Sequence, residues 1–337
     1  MGLMRFMELV LFSFLINILN KNMMENIQQR NHLFRVFAFC LFIIATIEMY
    51  ASEKIGRPVK IVSLCFHEES MNKIINIIDK EGESDEDIDI IVLPETWRGQ
   101  ITPESLGGET INSLSILAKK HNVYILSPID IMEGKLRYNT AVLIDRKGDV
   151  VFTYDKIYPY WSEFDLNPPV EPGKQNQMGV AICYDANFPD VWQELRNQGA
   201  EIVFWPSAYS AGSQLQAYSL LHHYYIVTST YTGDCQVYDI TGEKIIDNKS
   251  DKITITNFTL DLDRGIYHEN FNLQKLNRFL EVHREDVEVE INMPREQWFV
   301  LKAKKPGISA RSLANKFDIE ELVDYQNRSS VEINNKR

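Results

Sequence analysis

The run Gly179-Val-Ala-Ile-Cys183-Tyr-Asp-Ala-Asn-Phe188-Pro189-Asp190 constrains this chain more than any other segment. Small and apolar residues lead into Cys183 like a buried strand, and Phe188-Pro189-Asp190 then opens a helical pattern reaching Gln198. The thiol is therefore expected on a sharp strand-to-helix connection, where free backbone N–H groups favour a thiolate. The same alternation of short apolar runs and helical patterns extends to both sides. It predicts strands at 59–66, 88–93, 123–129, 138–145, 150–154, 179–183, 201–205, 225–230, 235–238 and 253–260. Helices are predicted at 70–80, 110–121, 189–198 and 213–223, and glycine-containing hairpin turns at 146–149 and 239–243. Hairpins mixed with helical crossovers mean an α/β fold with two helix-covered sheets.

Taken alone, Cys183 is better read as inert core, because free cysteine is among the most buried residue types. Its company changes that reading. Ile88-Asp-Ile-Ile-Val-Leu-Pro-Glu95 is another buried-strand pattern that delivers a carboxylate just past the strand end. Tyr154-Asp-Lys156-Ile-Tyr-Pro-Tyr-Trp-Ser-Glu163 places a lysine among aromatic residues, with a second carboxylate further on. Singly, Lys156 and Glu163 would be ordinary solvated residues. A Glu, a Lys and a Cys, each at the end of an element, form a set.

In this order the three segments resemble the carbon-nitrogen hydrolase family, the nitrilase superfamily, over residues from about 58 to about 300. The resemblance implies an α-β-β-α sandwich, two mixed sheets flanked by helices, that pairs into a homodimer or higher oligomer. It makes Glu95 the general base, Lys156 the lysine of the triad, Cys183 the nucleophile and Glu163 the carboxylate that holds the lysine. A thiol attacks an amide or nitrile carbon as thiolate, so a carboxylate must take its proton, and Glu95 fits that task. The resulting oxyanion needs fixed positive charge, which Lys156 and the Tyr184 N–H can supply. Glu163 would keep a buried ammonium charged. Asn139, Tyr184 and Tyr209 are candidate substrate-binding residues, within a wider aromatic group of Trp97, Tyr158, Tyr160, Trp161 and Trp205. No metal or organic cofactor is required.

Nitrile-cleaving members typically follow the nucleophile with Trp-Glu, whereas this chain has Tyr184-Asp185. The implied branch is the amidases and N-carbamoyl amidohydrolases, acting on a small-molecule amide or carbamoyl substrate. The alternatives are a nitrilase and a catalytically silent binding protein on the same fold. Asp190 stands where the family usually has glutamate after Phe-Pro, which puts a supporting contact in doubt but not the triad.

Composition supports a globular catalyst: 45% hydrophobic and 24% charged residues are ordinary for a folded domain. A net charge of -12 without any clustered Lys/Arg stripe argues against nucleic-acid binding. The acidic run 81–89 lacks the spacing of a calcium loop. Residues 1–52 differ from the rest, with two uncharged apolar runs at 9–19 and 36–47, each short for a membrane span and near the length of a signal-peptide core. They are expected to act as an export signal or a membrane tether, with 53–301 as the hydrolase domain and 302–337 as a helical extension. The protein is then periplasmic, extracellular or membrane-anchored, and cytoplasmic if the leader is a start-site artefact; a start at Met23 or Met24 would still leave a conventional leader of about thirty residues. Beside Cys40 and the nucleophile, only Cys65 and Cys235 could pair, so a disulfide framework is not indicated. Mass spectrometry of the expressed protein is expected to show cleavage near Ala51 or Ser52; an intact N-terminus in the membrane fraction would establish the tether.

Overall fold

In β1 (Pro58–Cys65) the side chains alternate between two apolar environments. Ile61 and Cys65 face one core cluster, and Val62 and Leu64 face another. A strand with both faces buried belongs to a central position in a layered domain. The computed structural model describes residues 54–337 apart from 85–86, 100–102, 161–168 and 171–177. The chain divides into two units, Met1–Lys54 and Ile55–Arg337, and all described residues but Lys54 build the second. The apolar runs at 9–19 and 36–47, Trp161 and Glu163 lie outside the described residues; among those described, no helix is long and apolar enough to cross a membrane.

The first sheet has six strands in the order β11-β1-β2-β3-β4-β5, with β2 at Ile90–Val92, β3 at Tyr124–Glu133, β4 at Leu136–Ile144, β5 at Val150–Asp155 and β11 at Thr254–Asp261. Its centre, β1-β2-β3, is parallel because α1 (Met71–Gly82) and α2 (Glu109–His121) carry the chain back between strands. These helices cover one face, where Ile74, Ile78, Ile111 and Leu114 pack on Val62, Leu64, Ile91, Ile125 and Val142. The second sheet runs β10-β9-β8-β7-β6, with β6 at Met178–Val180, β7 at Ile202–Ser207, β8 at Tyr225–Thr230, β9 at Asp234–Tyr238 and β10 at Lys244–Lys249. It is parallel through β6-β7-β8, the crossovers being α3 (Pro189–Asn197) and α4 (Ser213–His222), and antiparallel beyond.

The two sheets share one core, in which Ile61, Val92, Leu126 and Ala141 lie in the same cluster as Val180, Val203, Val227 and Val237. Two buried hydroxyls cross between them: Ser63 Oγ donates to Thr228 O at 2.7 Å and Ser229 Oγ to Leu64 O at 2.5 Å. Buried hydroxyls need such partners, and meeting them across the interface fixes how β1 lies on β8. Both expected hairpin turns form, with Gly148 at φ +86° and Gly242 at φ +82°, conformations that an L side chain disfavours.

After β11 the chain adds a third sheet, β12-β14-β13 (Gly265–His268, Trp298–Ala303 and Val287–Met293), all antiparallel. Helices α5 (Glu269–His283) and α6 (Ala310–Lys316) pack on it through Phe279, Leu276, Ala310 and Ala314, and α7 (Leu322–Asn334) follows. Lys302 of β14 pairs with Glu288 of β13, so the segment 302–337, expected as a helical extension, begins with the end of β14 and continues into the helices that follow this sheet. The helical pattern does break at Asp318, which is left-handed at φ +53°.

His222 and His223 close α4 in the core between the second and third sheets. The His222 ring stacks between Tyr218 and Tyr224, and the left-handed His223 meets Trp298 edge-on at 4.8 Å. Burial, with the charge of Arg196 adding to it, pushes both imidazoles from the ordinary 6.5 down to about 4. The unfolded chain then binds protons that the folded chain does not, so stability is lost as pH falls from 6.5 through about 4. The expected loss is on the order of 2 kcal/mol for the pair once solvent screening is discounted. In denaturant titrations across that range, a His222→Phe/His223→Asn double variant should show a flatter dependence of unfolding free energy on pH. Unchanged slopes would show that the imidazoles take up protons without unfolding.

Candidate active site

Each candidate side chain sits where a strand stops. β2 ends at Val92, and Leu93-Pro94 carries the chain to Glu95, whose side chain is buried at 4% exposure. The next residue, Thr96, has φ +35°, a left-handed conformation uncommon outside glycine, and its Oγ1 is held by the Tyr231 hydroxyl at 2.7 Å. Lys156 follows β5 and is 2% exposed. Its N–H donates to Asn139 O at 2.9 Å, which continues the pairing of β5 with β4.

β6 is shorter than the sequence pattern indicates, ending at Val180, because the chain must turn before Cys183. Cys183 itself has φ +46° and starts a 3-10 turn, Cys183–Asn187. Phe188 returns to extended geometry and Pro189 opens α3, where a missing N–H costs nothing. The elbow is fixed from three directions. Trp205 Nε1 donates to Cys183 O at 3.2 Å, Trp192 Nε1 to Asp185 O at 3.2 Å, and the Ile182 N–H to the Asp185 carboxylate at 2.9 Å.

The structure brings Glu95, Lys156 and Cys183 together. Glu95 Oε1 accepts from Lys156 Nζ at 2.8 Å and from Asn139 Nδ2 at 2.7 Å, while Oε2 accepts from the Ala208 N–H at 2.8 Å, just past the end of β7. A buried ammonium and a buried carboxylate are tolerable only when paired and further hydrogen-bonded, as here. Burial pushes the Cys183 thiol well above its ordinary range; the Glu95 charge and hydrogen bond push the same way, against the Lys156 charge and the Ala208 N–H. The resting sulfur is therefore a thiol held against the Glu95 side chain.

The three residues open into a cavity of about 920 Å³ lined by Trp97, Tyr160, Tyr184, Asn187, Tyr209 and Tyr231, with exposed His67 and Glu68 also on its wall. Tyr184 and Tyr209 thus border the space a substrate would occupy. Tyr209 packs edge-on against Trp205, and burial raises its hydroxyl to about 12, so it acts as a neutral donor or acceptor. Asn139 does not line the cavity: its side-chain N–H donates to Glu95, and its backbone carbonyl accepts the backbone N–H of Lys156, so it braces both residues from behind. Tyr158 and Trp205 are also off the cavity wall: Tyr158 stacks on Phe188 at 3.7 Å and donates to Asp190 at 2.6 Å, so the aspartate after Phe-Pro keeps a partner. Thr96, Tyr231 and Ala208 escape the sequence reading. Ala208 acts through its backbone, and Tyr231 through a contact 135 residues away from Thr96. Among the described residues no cluster of His, Cys, Asp or Glu could hold a metal ion.

Beta-ureidopropionase of Arabidopsis thaliana is 32% identical over 161 residues, 41% of this chain and 39% of that protein. A formamidase of Pseudomonas syringae pv. tomato is 28% identical over 155 residues, 41% of this chain and 45% of that protein. Each match thus spans less than half of the relative's own length. Among solved structures, Saccharomyces cerevisiae Nit3, a member of branch 10 of the nitrilase superfamily, superposes with a TM-score of 0.55 at 17% identity, covering 66% of this chain and 96% of that one. An amidase from Nesterenkonia sp. gives 0.52 at 18% identity, covering 68% and 96%. A variant of that amidase carries the acetamide moiety of fluoroacetamide covalently added at its active site cysteine, and another was solved with butyramide. Residues 65–266, more than half of the chain, match the Carbon-nitrogen hydrolase family, and the chain belongs to that family.

Proposed function

We propose that this protein hydrolyses small-molecule carboxamides to carboxylate and ammonia or amine through a thioester on Cys183. The observation that carries the reading is the Glu95 carboxylate, held at 2.8 Å by the Lys156 ammonium beside a buried thiol at the floor of an open cavity. As the sulfur attacks the carbonyl carbon, Glu95 takes its proton, and the carbonyl oxygen becomes an oxyanion facing Lys156 Nζ and the Tyr184 N–H. Collapse of the tetrahedral intermediate breaks the C–N bond while protonated Glu95 gives its proton to the departing nitrogen. Water, deprotonated by the same carboxylate, then attacks the thioester, and the acid leaves as the thiol is restored. Asn139 and the Ala208 N–H hold Glu95 in place through both proton transfers. The small amides bound by the Nesterenkonia amidase support this substrate class.

A second reading, hydrolysis of an N-carbamoyl amine, is favoured by the similarity to beta-ureidopropionase. It differs in releasing carbon dioxide along with ammonia. Aliphatic amides, ω-amides, N-carbamoyl amines and nitriles should therefore be assayed for both products, with the Cys183→Ala variant alongside. Ammonia without carbon dioxide is expected, and carbon dioxide release would move the assignment to the carbamoyl branch. Cys183→Ala is expected to lower turnover by at least about 10³-fold while changing stability by about 1 kcal/mol; retained turnover would remove the nucleophile.

Glu95→Gln removes both the base and the negative charge that helps raise the thiol's pKa. Its turnover should fall by about 10²–10⁴-fold, yet alkylation of Cys183 by iodoacetamide near neutral pH should become faster. Intact-mass detection of a substrate-derived acyl adduct on Cys183 in this variant would rule Glu95 out as the base.

A further inference from the structure

Asp185 lies two residues beyond the nucleophile, is fully buried and does not line the cavity, so it touches no substrate. Its carboxylate is nevertheless bound from both halves of the site. Oδ2 accepts from the Tyr154 hydroxyl at 2.7 Å and from the Ile182 N–H at 2.9 Å, and Oδ1 accepts from the Tyr158 N–H at 2.8 Å. Tyr154 and Tyr158 flank Lys156 two residues to either side, whereas Ile182 immediately precedes Cys183. We propose that Asp185 is a positioning residue that sets the distance between the lysine and the nucleophile by tying the end of β5 to the elbow.

The chemistry of the side chain favours this assignment over simple filling of space. β5 lies at the edge of the first sheet, and the elbow follows β6 at the edge of the second, so no strand pairing joins them. Both donors on the Lys156 side and the donor on the Cys183 side converge on one carboxylate, and a shift of either arm breaks a buried hydrogen bond. Backbone hydrogen bonds add to the tie: the Asp185 N–H donates to Ile182 O at 3.0 Å, closing the turn that holds Cys183 at positive φ. Burial raises the carboxyl to about 6, opposed by these donors and by the charge of Lys156, so the group accepts from all of them at neutral pH. Asparagine cannot replace it, because in either orientation its amide nitrogen faces a backbone N–H: that of Ile182 or that of Tyr158.

The inference rests on the proposed amide hydrolysis, and its test carries a readout that does not need turnover. Asp185→Asn and Tyr154→Phe would be compared with the unsubstituted protein for kcat and KM on the amide it hydrolyses best, for the rate of Cys183 alkylation by iodoacetamide, and for thermal midpoint. For folded Asp185→Asn, kcat is expected to fall by about 100-fold, since misplacement of reacting groups by about 1 Å costs that much, with KM within about threefold. Alkylation should slow, because a displaced Lys156 no longer stabilises the thiolate. Loss of the Asp185 charge alone would act in the opposite direction and speed it.

Tyr154→Phe leaves the carboxylate and both N–H donors, and should lower kcat by about 3- to 10-fold, with correspondingly slower alkylation. A folded Asp185→Asn that keeps kcat within about threefold, or that alkylates faster, overturns the assignment. Should Asp185→Asn fail to fold, Tyr154→Phe decides: unchanged kcat and unchanged alkylation overturn it. If the unsubstituted protein hydrolyses no amide, the proposed function fails, while the alkylation rates still test Asp185.

Discussion

The ion pair between Glu95 and Lys156 is the interaction on which the rest of the site depends. Both groups are withdrawn from water, and each offsets part of the other's desolvation cost. The cost of removing them from solvent is offset only if every remaining lone pair and proton is matched. That requirement brings Asn139 from β4 and the Ala208 N–H from the end of β7 onto the same carboxylate. A pair of this kind is a poor source of stability, since apolar residues of equal volume would do as well. Its presence fits the proposed chemistry, in which one group accepts and returns a proton and the other meets a developing negative charge.

Geometry around the pair is set by backbone conformations the residues do not prefer. Cys183 and Thr96, neither of them glycine, both have positive φ, next to the sulfur and the carboxylate respectively. Each is restrained by a side chain from elsewhere in the sequence, Trp205 for the elbow and Tyr231 for the turn after Glu95. The site thus consists of Glu95, Lys156 and Cys183 at strand ends and a ring of buried donors that keeps those ends from relaxing.

Most strands of the two main sheets and their helices were legible in the sequence because the central strands are buried on both faces and read as apolar runs bounded by turn residues; β10, exposed along most of Lys244–Lys249, was not. The predicted strand at 225–230 coincides with β8, and the helix at 110–121 differs from α2 by one residue. The third sheet was not legible. β13 alternates Val287, Val289 and Ile291 with polar residues in a single short run, and its partner β14 follows only after a turn through Gln297 in the left-handed region. Within the site, Glu95, Lys156 and Cys183 could be read because motifs at element ends carry side-chain chemistry. Asn139 was read as a substrate-binding residue, but only tertiary packing reveals that it faces Glu95. Ala208 left no signal, because any residue but proline supplies the same N–H.

The reactive groups are divided between the two sheets: Glu95, Asn139 and Lys156 follow or lie in strands of the first, Cys183 and Ala208 follow strands of the second. On the ribosome the first sheet's contributions emerge before the second's. Until Ser63 and Ser229 close the interface between β1 and β8, the sulfur faces neither Glu95 nor Lys156. A nascent or half-folded chain therefore carries an ordinary cysteine rather than a primed catalyst. Under the proposed mechanism, nucleophilic reactivity arises only with the docked tertiary structure, so unfinished protein carries no thiol poised to be acylated.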